Sequence, residues 1–87
     1  MREDKRLAAM RANPLSVRFD DLAAVLESVG FTQRRGKGSH VLFKHPQNNA
    51  RLSVPDSGHG YVKPTYVRKA LELADAARQA EEDDGRF

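Results

Sequence analysis

The sequence predicts an α+β domain with the order α-β-β-β-α, in which two helices cover one face of a three-stranded antiparallel sheet. Two stretches carry apolar residues at helical spacing, and three short stretches between them alternate apolar and polar residues. Turns rich in glycine, proline and asparagine separate the short stretches. With 87 residues the chain has room for a single core, and its lack of cysteine excludes disulfides and thiolate zinc sites.

The first helix is marked by a stripe of apolar side chains. Phe19, Leu22 and Leu26 fall on one side of a helix with 3.6 residues per turn. Gly30 is the expected helix stop. The first helix is therefore predicted over about residues 18–29.

Alternation of side chains marks the three strands. In the middle strand Val41 and Phe43 share one face, and His40, Leu42 and Lys44 share the other. The pattern leaves open which of these two faces is buried. The strands are predicted over residues 31–35, 39–44 and 50–54. The predicted core comprises Phe19, Leu22, Leu26, Val29, Phe31, Leu52, Val54, Val67 and Leu71, joined by one face of the middle strand.

The chain divides into a predicted flexible arm, a single domain and an acidic tail. The arm covers residues 1–13, with helical character open for Leu7–Met10, and ends at Asn13-Pro14, a pair that favours turns. The domain spans residues 14–80, and its last helix begins at Pro64, which suits a first helical turn. Residues 81–87 are too charged to pack and are expected to fray.

Charge is distributed unevenly along the chain. Residues 1–30 carry equal numbers of basic and acidic side chains. Residues 31–70 carry eight Lys/Arg against one Asp, whereas residues 71–87 carry two Lys/Arg against six Asp/Glu. The central block therefore has a net charge of +7, within a chain whose net charge is +3. Such a basic block predicts binding to a polyanion.

The basic turn between the first two strands is the most informative segment. Its two glycines let backbone N–H groups approach an anion, and its cations supply counter-charge. A hairpin turn with solvated cations is an equally good interpretation, and the P-loop pattern is absent. The predicted phosphate-binding residues here are Arg34, Arg35, Gly36, Lys37, Gly38, Ser39 and, in the following strand, Lys44.

A second group of cations surrounds the start of the last helix. Lys63, Arg68 and Lys69 lie where a helix N-terminus favours phosphate. Cations at this end of a helix are unfavourable for its dipole, which suggests that they bind an anion. A solvated helix face is the alternative interpretation.

The three histidines have separate interpretations. His40 begins a strand beside the basic turn, where both a structural role and proton transfer are open to an imidazole. His45 is expected to be an exposed loop residue, and His59 a solvated residue in a loop between glycines. Their spacing matches no metal-ligand motif, so neither a metal nor another cofactor is expected.

The sequence contains no signal for a membrane or for secretion. Its longest apolar run, Leu22–Leu26, is far shorter than the roughly 20 residues that span a bilayer. The first six residues mix charges and lack the apolar segment of a signal peptide. We therefore expect a cytoplasmic protein without a membrane partner.

Several motifs, in uninterrupted order over about residues 13–75, together resemble the HicA toxins of bacterial toxin–antitoxin systems. The most specific one is a Gly-Ser-His sequence followed by an aromatic residue, a cation and His-Pro. The motifs are Asn13-Pro14, Phe19-Asp20-Asp21-Leu22, Gly30-Phe31, Gly36-Lys37-Gly38-Ser39-His40, Phe43-Lys44-His45-Pro46, Leu52-Ser53-Val54-Pro55, His59-Gly60, Val62-Lys63-Pro64 and the helix with Val67-Arg68 and Leu71.

The resemblance implies a fold like that of a double-stranded-RNA-binding domain and an activity as a ribonuclease on messenger RNA. It also implies a HicB-type antitoxin as the protein partner. The family's catalytic histidine corresponds to His40. Many members carry a second histidine directly after it, where this sequence has Val41.

A mechanism without a metal follows from the chemistry of RNA. The 2′-OH attacks the adjacent phosphate, His40 acts as general base, and the basic turn with Lys37 holds the phosphate. His45, His59 or water remain candidates for protonating the leaving group. Two alternatives stay open, namely a non-catalytic RNA-binding module and a degenerate toxin retained for pairing with its antitoxin.

Overall fold

The computed structural model describes residues 2–36, 38–56 and 60–84. Its sheet and two of its helices follow the predicted α-β-β-β-α order, so the α+β fold, like that of a double-stranded-RNA-binding domain, is confirmed. A further helix precedes this unit. The elements are α1 (Arg2–Ala12), a short 3-10 helix (Pro14–Ser16), α2 (Phe19–Ser28), β1 (Thr32–Arg35), β2 (His40–Lys44), β3 (Arg51–Pro55) and α3 (Pro64–Asp84).

The sheet is an antiparallel meander in the order β1-β2-β3. The β1–β2 hairpin pairs Arg35 with Val41, and the β2–β3 hairpin pairs His40 with Pro55. At the far end of the second hairpin, Lys44 pairs with Arg51. Every strand thus contributes alternate residues to each face of the sheet.

The core lies between the sheet and the helices. Val41, Phe43 and Val54 are fully buried, whereas Leu42 on the opposite face is only half-buried. This decides which face of the middle strand is inside. The rings of Phe19 and Phe43 meet with their centroids 5.9 Å apart. The predicted core is confirmed, with Phe19 and Leu52 packed at its edge and Leu22, Leu26, Val29, Phe31, Val54, Val67 and Leu71 buried.

The first residues form helix α1 instead of the predicted flexible arm. Leu7 and Met10 are buried in the core. The Arg11 guanidinium donates two hydrogen bonds to the Asp75 carboxylate, at 2.8 and 3.1 Å. This hydrogen bonding, reinforced by the charge of Asp75, raises the pKa of Arg11. The stretch looked like a loose arm because its partners lie on α3, far along the chain.

The last helix is longer than predicted. It begins at Pro64 as expected but continues to Asp84, past the predicted end near residue 80 and into the predicted acidic tail. Residues 85–87 of that tail lie outside the described part of the chain. Among the described residues, no helix combines the length and the apolar character that a bilayer span requires.

Candidate functional site

The sheet face turned away from the helices holds a histidine and three cations. We call it the open face. Because side chains alternate along a strand, the neighbours of the buried Val41 and Phe43 all point towards it. Its residues are Thr32 and Arg34 of β1, His40, Leu42 and Lys44 of β2, and Arg51, Ser53 and Pro55 of β3.

His40 lies exposed at the end of the open face beside the basic turn. The N–H of Gly36 donates to the His40 carbonyl at 2.9 Å, so these two residues are opposite each other. Because Gly36 has no side chain, the imidazole is not covered from that strand. Pro55 is opposite His40 on β3. Arg34 and Ser53 are its diagonal neighbours, at a typical Cβ separation of about 7 Å.

The three cations of the open face are close to one another. Lys44 and Arg51 are opposite each other, which places their Cβ atoms about 5 Å apart. Arg34 is the diagonal neighbour of Lys44 across the other hairpin. Within the described part of the chain, none of the three forms an ion pair. Like charges held together in this way are unfavourable for folding and are typical of a surface that binds a polyanion.

Arg51 is absent from the phosphate-binding residues predicted from the sequence. The alternation of side chains along β3 could have identified it, since this alternation places Arg51 and Ser53 on the same face. What the alternation alone did not supply was the register that sets Arg51 opposite Lys44. The structure thus adds a cation to the candidate site.

The turn between β1 and β2 is tied to the end of β3. The Ser39 carbonyl accepts a hydrogen bond from the N–H of Asp56 at 2.6 Å. Gly38 has a φ of 66°, a backbone conformation that glycine adopts without strain. Gly36, Gly38 and Ser39 therefore lie next to His40. Lys37 lies outside the described residues.

Arg35 belongs to the opposite face of the sheet from His40. Its guanidinium donates to the Asp56 carboxylate at 2.9 Å, and the Asp56 side chain is only 16% exposed. Arg34 and Arg35 are adjacent in sequence, but successive strand residues point to opposite faces. Of this predicted pair, only Arg34 shares a face with His40.

His45 is buried, and the prediction that it is an exposed loop residue is wrong. Its Nε2 lies 3.0 Å from the Val29 carbonyl oxygen, and its Nδ1 accepts a hydrogen bond from the N–H of Gln47 at 3.2 Å. Its ring meets Phe31 edge-on, with centroids 5.1 Å apart. This pattern requires the neutral tautomer with the proton on Nε2. Five residues along an extended chain also separate it from His40 by about 17 Å.

The cations at the start of α3 form a separate surface. Arg68 and Lys69 line a groove on the helix side of the sheet, and Lys69 approaches Glu72 at 3.7 Å. Lys63 precedes the helix, and its carbonyl accepts the N–H of Val67 at 3.3 Å. We call this the α3 groove, and its lining residues are Leu52, Thr65, Tyr66, Arg68, Lys69 and Glu72. The structure does not bring these cations together with His40.

The chemistry available at the open face is proton transfer beside a cationic surface. In the ranges 2–36, 38–56 and 60–84, no three His, Cys, Asp or Glu side chains gather into a group that could hold a metal ion. His59, the remaining candidate for proton transfer, lies outside the described residues.

Comparison with protein families assigns the chain. The family described as the HicA toxin of bacterial toxin–antitoxin systems matches residues 19–76, about two thirds of the sequence. The chain belongs to the HicA toxin family. This HicA chain is therefore a toxin of a toxin–antitoxin system, which implies an antitoxin partner. The match begins at the first residue of α2, so α1 precedes the region that defines the family. No curated protein and no solved structure matches the chain.

Proposed function

We propose that this HicA toxin is an endoribonuclease that cleaves messenger RNA on its open face, with His40 as general acid/base and without a metal ion. The observation that carries the proposal is that exposed His40 shares one sheet face with Arg34, Lys44 and Arg51, which form no ion pairs among the described residues. The cations hold the phosphodiester backbone, and the imidazole supplies proton transfer.

The proposed reaction uses the nucleophile that RNA itself carries. His40 takes the proton of a 2′-OH, whose oxygen attacks the adjacent phosphorus. The bond from phosphorus to the leaving 5′-oxygen then breaks, and that oxygen takes up a proton. Exposure of His40, with only glycine opposite it on β1, leaves room for a nucleotide at the imidazole.

Negative charge that develops on the phosphate is stabilised by the groups around His40. Arg34 is the nearest cation in the sheet, at the diagonal position. Backbone N–H groups of Gly38 and Ser39, together with Lys37, complete the proposed phosphate site, whereas the N–H of Gly36 is already bonded to the His40 carbonyl. Donors that are already oriented before the reaction stabilise such charge more than mobile water does.

The leaving group needs a proton from a source other than His45. Both ring nitrogens of His45 are already engaged, and the side chain is buried on the opposite face. Of the sources considered from the sequence, His59 and water remain. Replacing His59 with Ala distinguishes them, because a water-dependent reaction keeps its rate.

Cleavage of a long single-stranded transcript by wild type and by His40→Ala tests the proposal. We expect the substitution to lower the rate by about 10²–10⁴-fold, the usual contribution of a general base or acid. Wild type should retain its rate in EDTA. Arg35→Ala is the matched control, since it alters a side chain on the other face. Undiminished cleavage by His40→Ala would disprove the role of His40, and loss of wild-type cleavage in EDTA would disprove metal independence.

A non-catalytic RNA-binding module is the second candidate. The same three cations, which form no ion pair within the described residues, favour it, because they can bind RNA phosphates without any role for the histidine. An intact transcript together with a salt-sensitive mobility shift would identify this function. In either case we propose a HicB-type antitoxin as the partner implied by the family.

A further inference from the structure

The outer edge of β3 lies beside the α3 groove. In the strand order β1-β2-β3, β3 pairs along one side only within the part of the chain that the structure describes. The groove has a volume of about 410 Å³ and extends from Leu52 of β3 to the first two turns of α3. A strand edge next to a helix-lined groove is an arrangement that binds extended peptides by strand addition.

The hydrogen bonds of the sheet show which backbone groups of β3 point outward. The N–H of His45 donates to the Ala50 carbonyl, and the N–H of Asp56 donates to the Ser39 carbonyl. Bonded pairs alternate with non-bonded pairs in an antiparallel ladder. Ala50 and Asp56 are thus in bonded pairs at the two ends of β3. Every second residue between them, namely Leu52 and Val54, therefore also bonds to β2.

The groups that remain on β3 face away from the sheet. They are the N–H and C=O of Arg51 and Ser53 and the C=O of Pro55, which has no N–H. No described residue outside the sheet forms a backbone hydrogen bond with them. The edge can therefore accept one short strand, limited at one end by the proline.

The α3 groove combines an apolar floor with a cationic rim. Leu52 and Tyr66 are half-buried and pack against the core. Arg68 and Lys69 are exposed, and among the described residues only Lys69 of the two has an ion-pair partner, Glu72 at 3.7 Å. An apolar floor favours a polypeptide over RNA, because phosphate contacts need neither a leucine floor nor strand-edge hydrogen bonds.

We propose that an extended acidic segment of the antitoxin adds to β3 as a fourth strand and fills the α3 groove. Every second side chain of such a strand points to the helix side of the sheet, where apolar side chains contact Leu52 and Tyr66. Carboxylates that follow them reach Arg68 and Lys69 at the rim. The inference rests on the antitoxin partner that family membership implies, and it is independent of RNA cleavage. Since the groove and the open face lie on opposite sides of the sheet, this strand anchors the antitoxin without contacting His40.

Titration of the ¹⁵N-labelled protein with the acetylated octapeptide Val-Thr-Val-Thr-Val-Glu-Glu-Glu, called the Val/Glu peptide, tests the proposal, because its Val side chains share one face and its carboxylates follow them. We expect amide signals of Arg51, Ser53 and the first two turns of α3 to shift. Ser53→Pro removes an outward N–H and should weaken binding at least about tenfold, the equivalent of one hydrogen bond. Ser53→Ala, which keeps that N–H, is the matched control and should bind like wild type.

A second variant keeps the test independent of whether Ser53→Pro folds. The double substitution Arg68→Glu/Lys69→Glu changes only exposed side chains, and it should abolish binding of the Val/Glu peptide. His40→Ala should bind the peptide as wild type does, so failure of the nuclease proposal would leave this result unaffected.

Several results of the peptide titration would overturn the proposal. They are no binding of the Val/Glu peptide, equal binding of a Val/Lys peptide in which Lys replaces each Glu, and shifts confined to β1 and β2. Displacement of the peptide from the β3 edge by a short RNA, with shifts at the same amides, would also overturn it, because the groove would then be a nucleic-acid site.

Discussion

Gly30 and His45 meet at the end of α2, in a contact that no other residue at position 30 could make. The φ of Gly30 is 104°, and a Cβ added there would lie 2.8 Å from His45 Nε2. That nitrogen already bonds the Val29 carbonyl, so the imidazole cannot move aside without breaking this bond. The two residues together fix how the chain leaves α2 and enters the sheet.

Gly30→Ala should therefore destabilise the protein more than an alanine at another glycine with positive φ. Gly60 has a φ of 85°, and no atom of the described residues beyond its chain neighbours lies within 4 Å of an added Cβ, so Gly60→Ala measures the backbone strain, about 1–3 kcal/mol. We expect Gly30→Ala to lose at least about 1 kcal/mol more, from the displaced His45 hydrogen bond. Urea unfolding of the two variants beside wild type gives the difference. Equal losses would show that His45 has a second position of similar energy.

Single residues also show how far the sequence could predict the site. Alternation along β2 correctly grouped His40, Leu42 and Lys44, because it follows from strand geometry alone. The same alternation, continued one residue past the strand, places His45 with the buried Val41 and Phe43. The adjacent proline and turn residues concealed this, since they are typical of exposed loops.

At the scale of elements, α1 is the part of the fold that local patterns revealed least, since they indicated at most a partial helix over Leu7–Met10. Its Leu7 and Met10 have helical spacing, but the same spacing occurs in helices that do not pack. What orders them is contact with α2 and α3, whereas the strands and α2 are recognisable from their own residues. Tertiary packing supplies most of the stability of short helices, and the sequence pattern does not contain it.

Truncating Leu7 should show that α1 is an integral part of the domain. Leu7→Ala removes a buried side chain and is expected to cost about 2–3 kcal/mol of unfolding free energy. Leu15→Ala is the matched control, because the same change at a side chain 66% exposed should stay within about 0.5 kcal/mol. Thermal or urea unfolding checks both. If Leu7→Ala were as mild as Leu15→Ala, α1 would be detached from the core in solution.

For the whole molecule, the decisive property is where the central charge of +7 lies. The sequence located this charge in one stretch, and folding divides it between two surfaces. Arg34, Lys44 and Arg51 lie on the open face, whereas Arg35 and the α3 groove lie on the helix side. Net charge alone would attract RNA to either surface, so only the position of each cation separates the two.

The salt dependence of RNA binding distinguishes these surfaces. In a His40→Ala background, which is expected to leave the RNA uncut, the affinity for a single strand should fall steeply with salt. Each phosphate contact contributes a slope of about 0.7 in the double-logarithmic plot. Arg51→Ala should lower the slope by about that amount, while Arg35→Ala, which removes the same charge from the opposite face, should leave it nearly unchanged.

Because the two variants have equal net charge, a difference between their slopes can only come from the position of the removed cation. Equal slopes would place the RNA away from the open face, and with it away from His40.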